Sequence, residues 1–201
     1  MHIAALETSG AFKQCLPVAA QQKPLFDRSS SGFVRQSRLN YGSLSSHVEI
    51  MRSARAAERE FAAVRAAFAG GRFASCVQRR FASLGSQPAS MSVKGHHVQI
   101  TERDLRFAPV DLTPPAGTDA AAGFSMKFIV DYRFADRGGT IDVPLGFFVE
   151  SFAFAVGRAE VSFDTFSISQ PCSVQLEERL YSKLVARALS AGRVAPAAVK
   201  A

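Results

Sequence analysis

A chain of 201 residues with 47% hydrophobic residues, seventeen Phe and no Trp can bury a core, which excludes global disorder. The formal net charge of +7 invites an anionic partner, yet residues 1–90 carry twelve Lys or Arg against five Asp or Glu while residues 91–201 carry twelve of each. The cationic excess therefore belongs to the first part, and no apolar run approaches the roughly eighteen residues a membrane-crossing helix needs.

In chain order, the opening MHIAALETSGAFKQCLPVAAQQK lacks the basic start and apolar run of a secretory signal. Residues 1–45 show no sustained period and are rich in Ser, Gln and Ala, a composition that need not pack. Ser46 followed by Glu49 reads as a capping box. Ile50, Ala54, Ala57, Phe61, Val64 and Phe68 then recur on one helical face, and Gly70-Gly71 stops it. A second basic stretch, RFASCVQRRFASLG, follows. The expectation is a basic, transit-like leader over 1–81, largely disordered apart from a helix near 47–69, and a linker over 82–92. A helix docked on the following domain is the alternative.

Arg79-Arg80-Phe81-Ala82-Ser83 resembles the site cut by the mitochondrial processing peptidase: an Arg, any residue, an aromatic, then small residues. The resemblance implies a cut after Phe81, with Arg79, Phe81 and Ala82 as the processing positions. It implies a mitochondrial address, with the cytoplasm as the alternative.

The α+β domain is expected over 93–191, with a flexible tail over 192–201. HHVQI is a short extended segment, and 112–123 reads as a loop. Met126, Phe128, Val130, Tyr132 and Phe134 alternate with wetter residues, a strand with one apolar face. Asp136-Arg137-Gly138-Gly139 supplies a turn, and Pro144 with Gly146 implies an edge, a bulge or a bend. Phe147–Val156 is apolar on both faces, so a central strand covered on both sides is expected. Glu160–Ser169 is a further strand. Ser173 caps a final amphipathic helix whose stripe includes Leu180, Tyr181, Leu184, Val185 and Leu189. The fold expected is an antiparallel meander of four to five strands covered by this C-terminal helix, with a small β-sandwich as the alternative.

Motifs of catalysis are sparse. His96-His97 are adjacent, so on a strand they face opposite ways and suit one ion poorly. The odd, widely spaced set Cys15, Cys76 and Cys172 is not a disulfide framework and reads as free thiols. Glu150 is the odd residue of its strand, read as a salt-bridge partner of Arg133 or Arg158. Cys172 lies where a helix start would lower its thiol pKa. No phosphate loop, serine elbow or dinucleotide fingerprint occurs. Neither catalysis, metal nor cofactor is expected.

The functional expectation is a non-catalytic accessory subunit of a mitochondrial complex, of the respiratory chain or ATP synthase. Its interface would use Phe147, Val149, Glu150, Phe152, Phe154, Tyr181 and Val185. Peripheral membrane contact is compatible with this. A mitochondrial ribosomal or other RNA-associated protein and a lipid- or small-ligand-binding domain are the alternatives.

Overall fold

A computed structural model describes residues 14–17, 23–36, 41–85, 89–93, 96–136 and 139–194. Its elements run β1 (Phe26–Ser29), β2 (Phe33–Gln36), β3 (Tyr41–Ile50), α1 (Ala54–Ala69), α2 (Arg72–Gly85), β4 (Ala89–Val93), β5 (His96–Val110), β6 (Ala120–Asp136), β7 (Gly139–Val156), β8 (Ala159–Ile168) and α3 (Val174–Val194). The architecture is α+β: one curled antiparallel sheet in the order β1-β3-β8-β7-β6-β5-β4, with helices packed against it. The described strands form a single sheet, so helices take the place of the second sheet of the β-sandwich alternative.

The largest departure from the sequence reading lies in the first part. Tyr41–Ile50 is a ten-residue strand paired along its whole length with β8. Its other side is paired by β1 against residues 47–50 and by β2 against residues 41–44. Ser46 and Glu49 therefore lie inside a strand and form no capping box. Ser53 caps α1 instead, its hydroxyl accepting from the Ala56 amide at 3.2 Å. The segment carries a second signal, an alternation of Leu44, Val48 and Ile50 with Ser45, His47 and Glu49, which pairing with β8 rewards. The helical stripe holds from Ala57 onward: Ala57 and Phe61 are buried, Val64 and Phe68 half-buried, and α1 ends at Gly70, whereas Ile50 belongs to β3 and Ala54 is exposed. Of residues 82–92, expected as a linker, 82–85 close α2 and 89–92 form most of strand β4, while 86–88 lie outside the described residues.

The two faces of the sheet carry different helices. On one face, Phe73 and Val77 of α2 pack on Met126, Phe128, Val130, Phe147 and Val149. Phe61 of α1 adds Ala122 and Ala155 to that layer. On the other face, Val185, Tyr181 and Leu184 of α3 cover Phe154, Val161 and Ala121. This explains the two-sided apolarity of Phe147–Val156. Phe147, Val149, Phe154 and Val185 are buried, and Tyr181 sits edge-on to Phe152 and Phe154. The four buried residues are intramolecular core, Phe152 and Tyr181 are half-buried beside them, and the chain's own helices cover both faces.

Pro144 is accommodated because β8 begins pairing only at Phe147↔Ile168. Residues 139–145 pair with β6 alone in the ladder, and the Gly146 carbonyl that accepts from the Ser169 amide at 2.7 Å marks where the β8 side takes over, so the missing Pro N–H faces a bare edge. A bulge between Arg103 and Arg106, with Asp104 at φ 56°, bends β5.

Cys15 and Cys76 form a disulfide across 61 residues of sequence. This corrects the reading of free thiols: the fold brings together cysteines that lie far apart in the chain. With Leu16, Cys15 packs on the α2-covered core. Cys172 remains a free thiol.

Candidate binding cavity and two carboxylate groups

The α3-bearing face contains a cavity of about 360 Å³ between β2, β3, β8 and the start of α3. Small residues create it. Gly42 and Ser167 are paired opposite each other on β3 and β8, and both line it. A Cβ placed on Gly42 would meet nothing closer than the Phe166 carbonyl oxygen at 3.8 Å. The walls are mostly apolar: Phe33, Leu44, Pro171 and Leu176. Arg35 supplies a cation, and Ser173 and Cys172 supply small polar groups.

Next to Ser167 on the same strand face lies a buried polar group. Thr165 donates its hydroxyl to Glu177 Oε1 at 2.9 Å, and Glu150 is the cross-strand neighbour of Thr165. Burial, then the hydrogen bond to Glu177, pushes the Glu150 carboxyl up to about 7. The expected salt bridge is therefore replaced by a shared-proton contact between two carboxyl groups. Arg133 pairs instead with Asp142, its cross-strand neighbour, at 2.8 Å. Burial, then the charge of Glu177, pushes the Cys172 thiol up to about 11, which keeps it neutral at pH 7. The acidifying effect expected of a helix start is outweighed, and this is not the thiolate a nucleophile requires.

On the opposite face, beside α1, a second polar row runs across β1, β3 and β8. His47 Nε2 lies 3.1 Å from Asp27 Oδ1 and 3.3 Å from Glu49 Oε1, while Ser29 Oγ lies 2.8 Å from His47 Nδ1. Glu49 also approaches Glu60 of α1 and Glu160 of β8. Burial, then the charges of Glu60 and Glu49, pushes Glu160 up to about 8. Burial likewise raises Asp164 on the same face.

Asp27, His47 and Glu49 form one donor set that could take a divalent cation, and Glu49, Glu60 and Glu160 form a second that shares Glu49. The sequence reading tested only His96-His97, which open β5, and missed His47 because Asp27 and Ser29 reach it from β1, about twenty residues away in the chain. The usable signal was the alternation of His47 and Glu49 with apolar neighbours, which places both on one strand face.

Arg79, exposed, and the backbone of Phe81 and Ala82 lie within α2. Of the turn expected at 136–139, residues 137 and 138 lie outside the described residues, as does the tail from 195 onward. No helix is long and apolar enough to cross a membrane among the described residues.

The chain is thus defined as an α+β protein whose curled sheet is covered by different helices on its two faces and holds an open, apolar-walled cavity. Comparison with protein-family models, curated proteins and solved structures finds no match to it.

Proposed function

We propose that this protein binds a small amphipathic ligand, with an apolar body and an anionic head, in the cavity between β2–β3 and the start of α3. The observation that carries this reading is the cavity itself, about 360 Å³ and walled by Phe33, Leu44 and Leu176 with Arg35 at its side. That volume lies at the low end of small-molecule sites, roughly 300–1,000 Å³, and suits a short acyl chain or a small ring system. The guanidinium is the one permanent charge among the lining residues, and the other polar side chains there, such as Ser167, Gln170 and Ser173, are neutral. The neutral thiol of Cys172 favours binding over nucleophilic chemistry.

Titration with a medium-chain fatty acid and with the alcohol of equal length tests the reading. The acid is expected to bind more tightly, and Arg35→Gln to weaken the acid by about tenfold while leaving the alcohol unchanged. Equal binding of both ligands to the native protein, or no binding of either, would contradict it.

Two further readings bear on where the protein works. The Cys15–Cys76 bond supports an oxidising compartment. An import leader that left this bond and the fold intact, mitochondrial or other, would end before Cys15. The accessory-subunit reading loses one of its supports, the two-sided apolar strand, because the chain's own helices pack on both faces.

A further inference from the structure

We propose that the α3-bearing face docks on an anionic lipid surface, placing the cavity mouth at the bilayer. The inference rests on the ligand-binding reading above and names the source of the ligand: an acyl chain taken from, or delivered to, that surface.

The warrant is a repeated pattern. Strand β1 reads Phe26-Asp27-Arg28 and strand β2 reads Phe33-Val34-Arg35. Phe26, Arg28, Phe33 and Arg35 pair with Ile50, Val48, Leu44 and Gly42, all even positions of β3. They therefore share one sheet face, the face on which Val48 joins the α3 cluster. Phe26 and Phe33 are 50% and 68% exposed, and Val174 at the start of α3 is 65% exposed. Leu25 and Val34 are also exposed, so the edge is apolar on both sides.

Charge matches the same partner. Arg28 lies over the Phe26 ring at 5.9 Å to the centroid. Arg179, Lys183 and Arg187 are exposed at intervals of four along α3, a cationic stripe about 12 Å long. Asp27, the acidic residue of the edge, faces the other way and is held by His47. Exposed aromatics with arginines beside them are the composition that seats in a headgroup region.

A single-stranded nucleic acid fits less well. Phe26 and Phe33 lie about 20 Å apart along β3, too far to stack neighbouring bases, and Leu25 and Val34 offer no stacking plane.

Cosedimentation of the full chain with vesicles tests the proposal. One set is phosphatidylcholine alone; the other contains about 30% phosphatidylserine. The protein is expected to pellet with the anionic vesicles, to remain soluble with the neutral ones, and to be released in about 0.5 M salt. Each cation removed among Arg179→Gln, Lys183→Gln and Arg187→Gln should weaken binding about fivefold. The double variant Phe26→Ser/Arg28→Gln, away from the cavity lining, should lose vesicle binding and keep fatty-acid binding. Gly42→Leu should do the reverse.

In the native protein, absence of vesicle binding with fatty-acid binding present would overturn the docking alone. In the native protein, vesicle binding without any fatty-acid binding would overturn the ligand reading alone. Equal pelleting with neutral vesicles, insensitivity to the edge and stripe variants, or release of the vesicle-bound protein by a short RNA at lower concentration than by salt would also overturn the docking.

Discussion

Glu150 and Glu160 sit on opposite faces of the sheet, and burial raises both, to about 7 and about 8. An unfolded glutamate titrates near about 4.3. The folded chain therefore holds extra protons between those values, and stability must fall as pH rises. The contribution is fully present below about pH 4.3 and is lost through about pH 7 for Glu150 and about pH 8 for Glu160. Melting temperature should thus decline between pH 5 and pH 8. In Glu160→Gln the decline should be shallower and the pH 8 stability higher, because Glu60 and Glu49 no longer face a third charge. A steeper decline in that variant would contradict the assignment. Glu150 was conspicuous in the sequence as a charge in an apolar strand. Its partner was not, since Glu177 arrives from a helix that begins eighteen residues beyond the strand's end.

At the scale of elements, β7, β8, α3 and β6 from residue 125 onward were legible because their hydrophobic periods are long, whereas residues 120–123, read as loop for their small residues, already belong to β6. The strand β3 was not legible. Its short alternation overlapped a capping-box pattern and an adjoining helical stripe, and only the ten-residue pairing with β8 decides between them. The cavity was equally hidden, because it depends on Gly42 and Ser167 meeting across that pairing. The helix–sheet layers make a direct prediction. Phe154 is fully buried under α3, so Phe154→Ala should destabilise the fold by about 3–5 kcal/mol, read by urea denaturation. A cost below about 1 kcal/mol would show that α3 does not cover this face.

For the whole molecule, the compositional split at residue 81 is real, but it divides one fold. Residues 41–85 supply a strand and two helices whose apolar faces close the core beneath the sheet. A chain beginning at Ala82 should be insoluble or lack a cooperative thermal transition, whereas a soluble, cooperatively folding fragment would restore the leader reading. The disulfide ties the same region to the N-terminal segment. Under denaturing conditions, thiol titration should find one reactive thiol without reductant and three with it. By loop-closure entropy, reduction should lower stability by up to about 4 kcal/mol.

The cavity is the centre of the functional account, and filling it is the most direct test. Gly42→Leu places a side chain in open space on a strand, without backbone strain. Titration of a fluorescent medium-chain fatty acid into both proteins should give saturable one-to-one binding to the native chain. Affinity should fall at least about tenfold in Gly42→Leu, with the melting temperature unchanged within about 2 °C. Equal affinity in the two proteins would contradict the account.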